Sequence, residues 1–197
     1  MILRTATLAD LDYIMDVEAA SFIPQIQEDR NVFEQRIICC SDLFLVFEEE
    51  STRKVNGYLS AEFLHRIPHS KDELRLGHLP EKSEKGNHQN QYIYISSFAL
   101  LPEARGRGAG KIAWQKSLEY FNEKFKVKGF LLLVNQLWKG AMHIYSGSGF
   151  TEVDFGDNGD RDKRDRDKCF ACRQNPFESF FPNEDGSFSN GILMIKK

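Results

Sequence analysis

Little in this sequence points to a secreted, membrane-spanning or nucleic-acid-binding protein. Cysteine is scarce, with 4 among 197 residues, and the four fall as the adjacent Cys39 and Cys40 and the spaced Cys169 and Cys172. That is not the ladder of a secreted disulfide framework. The CxxC lacks two further ligands for a four-coordinate zinc and follows a charged run rather than opening a helix, so structural thiols and no metal are expected. No apolar run approaches the roughly 18 residues of a membrane span, and the opening MILRTATLADLD has no apolar signal core. Neither sign of charge dominates: 26 Lys and Arg against 29 Asp and Glu leave a net charge of -3. Nucleic-acid binding normally shows as a clear basic excess. A single cytoplasmic domain over 1–197, monomeric or homodimeric, without a membrane or nucleic-acid partner, is the expectation.

What is present is an alternation of strand-like and helix-like segments. The residues up to Thr7 read as a strand, and Thr7-Leu8-Ala9-Asp10 reads as a helix start, a hydroxyl cap with a carboxylate three residues on. Leu11, Ile14, Met15, Val17, Ala19 and Phe22 recur at roughly helical spacing, and Pro24 blocks continuation. A short helix over about 32–39 precedes two strands, 43–50 and 54–66, joined as an antiparallel hairpin. Residues 68–91 form a long polar connection, a candidate functional loop. Tyr92 to Leu100 (YIYISSFAL) is apolar enough to be a central strand. A helix over 108–126 presents Trp114, Leu118, Phe121 and Phe125 on one face, and Gly129 closes it before a strand over 130–134. A helix over 139–146, a strand over 150–155 and a last strand over 191–197 complete an α/β order with parallel and antiparallel neighbours.

Arg105-Gly106-Arg107-Gly108-Ala109-Gly110 lies between the central strand and a helix. Its backbone N–H groups can converge where the helix dipole is positive, so the loop suits a phosphate ligand, with Arg105 and Arg107 adding charge. It is not a nucleoside-triphosphate loop, because Gly110-Lys111 is followed by Ile112 and Arg105 stands where the first glycine belongs. A dinucleotide fingerprint survives only as Gly108, Gly110 and Ala113, with no acidic residue at a strand end to hold a ribose.

Ser97 to Gly110 (SFALLPEARGRGAG) resembles the acetyl-coenzyme A signature of the GNAT superfamily of N-acetyltransferases, (R/Q)xxGx(G/A) after a strand. Tyr145-Ser146-Gly147-Ser148-Gly149-Phe150 resembles the same family's YxxxGF. The likeness covers about 1–156, leaving 157–197 as a charged loop, an aromatic tail and a final strand. Asp16 to Phe22, the long loop and IYSGSGF are similar to the arylalkylamine and polyamine acetyltransferase branch. The resemblance implies an α/β GNAT fold: a mixed, mostly antiparallel sheet of six to seven strands, flanked by helices and splayed at the central strand. It implies acetyl-coenzyme A as cosubstrate, its pyrophosphate on the amides of Arg105 to Gly110 and its pantetheine along the main chain of Phe98, Ala99 and Leu100, with Asn135 in contact. Leu100 N–H would be the oxyanion donor, Tyr145 the acid for the departing thiolate, and Ser96 a water-positioning hydroxyl. A ternary complex with a small primary amine, and no covalent cysteine intermediate, is implied. A peptide N-terminus or an aminoglycoside is the alternative acceptor, and a coenzyme A-binding regulator the alternative class.

In the arylalkylamine branch two histidines on the central strand relay the ammonium proton, and the matching positions here are Tyr94 and Ser96. The carboxylate that many relatives place nearby is expected to be absent. The expected route is therefore through water to a loop residue such as His78 or Glu73, or the substrate is a less basic amine. His143 is expected to be structural, and His65, His69, His78 and His88 to be surface or loop histidines. Phe177, Phe180 and Phe181 in the tail are expected to pack over the substrate cleft or a partner, or to cover a sheet edge.

Overall fold

The computed structural model describes residues 1–79, 88–155 and 175–197. Cys169, Cys172 and the charged run over 160–168 lie outside the described residues. Among those described, no helix is long and apolar enough to cross a membrane.

Strand β1 (Ile2–Thr5) leads into a 3-10 turn, Leu8–Asp10, and helix α1 (Leu11–Ser21). The turn is fixed by Asp10, whose carboxylate accepts from the Thr7 N–H at 2.8 Å and the Thr7 hydroxyl at 2.9 Å. Helix α1 buries Leu11, Ile14, Val17 and Glu18 and stops where Phe22 turns extended. After a turn at Pro24–Ile26 comes α2 (Arg30–Cys39), then the hairpin of β2 (Phe44–Glu48) and β3 (Val55–Leu64). Strand β4 (Tyr92–Leu100), helix α3 (Ala109–Lys124) and strand β5 (Gly129–Asn135) form the expected β-turn-helix-β unit. Helix α3 buries Ala113, Trp114, Ser117, Leu118 and Phe121 along one stripe. It closes at Phe125 rather than at Gly129, which instead opens β5, because a Cβ there would stand 2.4 Å from the Lys196 carbonyl oxygen.

Helix α4 (Lys139–Gly147) is followed by β6, which is only Thr151–Glu152 instead of a strand over 150–155. A two-stranded ribbon, β7 (Phe181–Pro182) with β8 (Phe188–Ser189), was not legible in the sequence. The last strand, β9 (Gly191–Lys196), enters the main sheet between β5 and β6. The order is β1-β2-β3-β4-β5-β9-β6, antiparallel except for β4 with β5.

Two irregularities in β4 create the site. First, β4 and β5 pair only from Tyr92↔Gly129 to Ile95↔Leu132, so beyond Ile95 the two strands diverge and the sheet splays. Second, Ser60 pairs with Ser97 while Ala61 pairs with Ile95, so Ser96 is an extra, bulged residue on β4. Trp114 anchors one face of the splay, its ring 5.5 Å from Phe98, 4.5 Å from Tyr145 and 5.6 Å from Phe150. On the other face Phe33, Phe44 and Tyr58 pack together beneath α1 and α2.

Candidate active site

Two cavities open into the splay from opposite faces. One, of about 910 Å³, lies between β4, the glycine loop and α4. The other, of about 450 Å³, lies between α1, α2 and the long loop after β3. Phe22, Ile26, Phe98, Trp138, Tyr145 and Pro182 line both, so the cavities meet at Phe98 and Tyr145.

The larger cavity has the features of a phosphate and amide cradle. Gly106, Arg107 and Gly108 all have positive φ, at 89°, 47° and 79°, and this left-handed run turns the chain into α3. A Cβ on Gly106 or Gly108 would meet nothing within 4 Å. The Ala109 N–H is spent on Gly106 O and the Arg105 N–H on Pro102 O. The amides of Gly110 and Lys111 stand in the first turn of α3, where helix geometry leaves donors free for an anion. The Arg105 guanidinium does not point freely at a ligand: its Nε donates to Leu100 O at 2.9 Å and its Nη2 to Ser21 Oγ at 3.0 Å, tying loop, strand and α1 together. Arg107 is exposed and is not among the residues lining the cavity, so its contribution is its backbone conformation.

Along β4, Leu101 N–H donates to Asn56 O and Ala99 pairs with Tyr58, so these residues direct their polar groups at β3. Strand alternation then turns the N–H groups of Phe98 and Leu100 toward the splayed side. Ala99 lines the cavity, but its backbone belongs to the β3 ladder. Asn135 is buried at the end of β5, and its Oδ1 accepts from Leu137 N–H at 2.9 Å, leaving its amide nitrogen for the cleft.

Tyr145 is placed by its motif. Phe150 N–H and Ser148 N–H both bond to Tyr145 O, and Gly149 at φ 87° lets the chain reverse so that buried Phe150 returns against the Trp114 and Tyr145 rings. The Tyr145 hydroxyl has no hydrogen-bond partner among the described residues. Burial pushes its phenol well above the ordinary range, which keeps the proton on at neutral pH.

The smaller cavity corrects the expectation that no carboxylate is near. Glu18, Glu28 and Glu62 all line it and all are buried. Glu18 Oε2 takes a short hydrogen bond from the Tyr58 hydroxyl, and Oε1 accepts from Glu28 N–H at 2.8 Å. Glu28 Oε1 accepts from Gly77 N–H at 2.9 Å, while Oε2 pairs with Arg36 at 3.4 Å. Glu62 sits opposite Tyr94 on β3, with His78 Nε2 3.4 Å from its Oε2. Burial raises the Glu62 carboxyl, against the pull of Arg36 and His78 and with Glu28 adding to the rise. Ser96 is not a free hydroxyl: it accepts from Arg36 Nη1 at 3.1 Å and donates to Ser60 O at 3.1 Å. Of the two loop residues expected near the amine, His78 is in the cavity and Glu73 is not; Glu73 pairs with Arg66 at 2.8 Å.

The remaining histidines lie mostly elsewhere. His88 stacks on Phe63 at 3.8 Å and bonds to Gln91, which also meets His65; His69 packs edge-on against Phe155. His143 is exposed on the rim of the larger cavity. In the tail, β9 pairs along the edge of β5, and Phe180 and Phe181 wall the smaller cavity, Phe181 packing on Trp138 at 5.4 Å and Trp138 on Phe22 at 5.9 Å. Sequence reasoning missed Glu18, Glu28, Arg36, Glu62 and Trp138. Its one available signal was Tyr58, Ser60 and Glu62 at alternate positions of an otherwise apolar strand.

Comparison with known proteins agrees with this geometry. No curated protein sequence matches significantly. NAA60 from Arabidopsis thaliana in complex with acetyl-CoA has a similar fold, with TM-score 0.66 and 15% identity over 99% of this chain and 98% of that one. The ribosomal-protein-alanine N-acetyltransferase from Brucella melitensis gives TM-score 0.62 and 16% identity over 100% and 99% of the two chains. The ribosomal-protein-S18-alanine N-acetyltransferase from Escherichia coli gives 0.61 and 12% over 98% and 91%. The model of the acetyltransferase (GNAT) family matches residues 11–150, and the chain belongs to this family of acetyl-coenzyme A-dependent acetyltransferases.

Proposed function

We propose that this acetyltransferase moves acetyl directly from acetyl-coenzyme A to a small primary amine, an arylalkylamine or a polyamine. The observation that carries this reading is the smaller cavity. Its 450 Å³ suit a compact acceptor, its buried carboxylates suit a cation, and Phe22, Trp138, Phe180 and Phe181 offer flat apolar surface to an aromatic or alkyl body. The amine would meet the thioester where the two cavities join.

In this reading the pyrophosphate rests on the free amides of the glycine loop and the start of α3, and the pantetheine runs beside Phe98 and Leu100 like an added strand, with Asn135 donating to it. Leu100 N–H faces the thioester oxygen; one such donor is worth roughly 10²- to 10³-fold in rate. The amine nitrogen attacks the carbonyl carbon, the C–S bond breaks, Tyr145 gives its proton to the departing thiolate, and the proton lost from the new amide nitrogen returns to the Tyr145 phenolate. Ser96 shapes the acceptor side through its bonds to Arg36 and Ser60 rather than by accepting a proton.

A protein N-terminus is the second reading, since two of the solved structures of similar fold are named ribosomal-protein alanine N-acetyltransferases. Thiol release from acetyl-coenzyme A, measured across arylalkylamines, polyamines, aminoglycosides and short peptides with cofactor binding followed by calorimetry, decides between them. Small amines should lead the peptides by at least about tenfold in kcat/KM, equivalent to about 1.4 kcal/mol in the transition state. Preference for peptides would replace the acceptor assignment, and tight cofactor binding with no thiol release would favour a regulator.

A further inference from the structure

An alkylammonium with a lysine-like pKa is neutral in only about one molecule in 10³ at pH 7, so the acceptor must lose a proton before it attacks. Of the three carboxylates around the smaller cavity, two are committed. Both oxygens of Glu18 are taken, by the Tyr58 hydroxyl and Glu28 N–H, and both oxygens of Glu28 are taken, by Gly77 N–H and Arg36. Glu62 is different. Its side chain is 5% exposed, His78 approaches Oε2, and Oε1 has no partner among the described residues.

The approach of His78 is built rather than incidental. Gly77 N–H is held by Glu28, and His78 O is held by Arg36 Nη2 at 3.0 Å, so two buried, oppositely charged side chains clamp the main chain on both sides of the His78 Cα. The imidazole is thereby fixed with one nitrogen on Glu62 and the rest of the side chain 36% exposed. The buried carboxylate thus lies against an imidazole that reaches the surface, and imidazole is a side chain that can shuttle a proton.

Resting on the reading of an amine acceptor, we infer that Glu62 is the proton acceptor for the incoming ammonium and that His78 carries the proton from Glu62 to solvent. The Glu62 carboxylate takes one proton from R–NH3⁺, leaving R–NH2 and a neutral carboxyl. The carboxyl passes that proton to His78, which releases it to water, and both groups return to their starting state. The charged and titratable groups facing Glu62 are Arg36 from α2, Glu28 from the α1–α2 connection, His78 from the loop and Tyr94 from β4. Arg36 favours the carboxylate form, while burial and Glu28 lift the carboxyl above the ordinary range, which moves its basicity toward that of the amine it must serve. Arg36 and Glu28 are positioning residues for the loop.

The test compares two primary amines of similar size, phenethylamine, which is strongly basic, and a fluorinated analogue whose ammonium is largely deprotonated at pH 7. Glu62→Gln should lower kcat/KM for the basic amine by about 10²-fold or more and for the weakly basic one by less than about 10-fold, with acetyl-coenzyme A affinity unchanged. For the basic amine the variant's rate should go on climbing with pH beyond the point where wild type levels off. His78→Gln should lose about 10-fold on the basic amine and be restored by added imidazole. Equal losses on both amines, or none on either, would overturn the proton path while leaving the amine reading in place. If wild type acetylates neither these amines nor a polyamine, the amine reading fails and the proton path fails with it.

Discussion

Tyr145 shows how much a single side chain is asked to do. Trp114 holds its ring at 4.5 Å and the Gly149 turn fixes its main chain, yet its hydroxyl is left unbonded where the two cavities meet. Tyr145→Phe keeps the ring contacts and removes only the hydroxyl proposed as the acid. Steady-state kinetics should therefore show kcat reduced by roughly 10²-fold with little change in acetyl-coenzyme A affinity, whereas an unchanged kcat would remove the acid role. Asp10 plays the structural counterpart. Burial would raise its carboxyl, but hydrogen bonds from Arg4, at 2.7 and 2.8 Å, and from Thr7 outweigh that and depress it. A depressed folded value means the stabilisation is complete above the ordinary carboxylate range and disappears as pH falls through the folded value. Asp10→Asn should cost about 1–3 kcal/mol in denaturant titrations at pH 7 and progressively less in acid; a pH-independent difference would contradict this. The capping role of Asp10 was legible because Thr7-Leu8-Ala9-Asp10 is a local pattern. The role of Glu62 was not, because it depends on which loop residue folds back onto β3.

At the level of elements, the turn at the glycine loop was legible because left-handed backbone leaves a signature in residue type. The direction of its arginines was not legible, because charge in a loop does not reveal it: Arg105 bonds to Leu100 and Ser21, and Arg107 is exposed and does not line the cavity. Gly108 caps α3 at φ 79°, a conformation costing a side-chain-bearing residue roughly 1–2 kcal/mol. Gly108→Val should weaken acetyl-coenzyme A binding by at least about 10²-fold in calorimetry while thermal unfolding stays cooperative. Retained affinity would show that the pyrophosphate lies elsewhere. The central strand was legible in its apolar run, but the bulge at Ser96 was not, because a strand's own sequence does not show its partner's register.

Across the whole molecule, the site is assembled from both ends of the chain. Helix α1 and its following turn supply Phe22 and Ile26, while residues near the other end supply Phe180, Phe181 and Pro182. Strand β9 then locks that tail into the sheet between β5 and β6. The tail's role was open in the sequence because aromatic residues suit a cavity wall and a sheet edge equally well. Phe181→Ala, which removes ring surface packed against Trp138, should raise KM for the acceptor by about tenfold and leave acetyl-coenzyme A affinity unchanged; loss of cofactor affinity instead would assign the tail to the donor side.

The central claim is that donor and acceptor occupy the two joined cavities together and react directly. Initial rates of thiol release, measured while acetyl-coenzyme A and one amine are each varied at several fixed concentrations of the other, test it most directly. The double-reciprocal lines should intersect, as a ternary complex requires. Parallel lines would mean that acetyl first passes to the protein, and would contradict direct transfer across the splay.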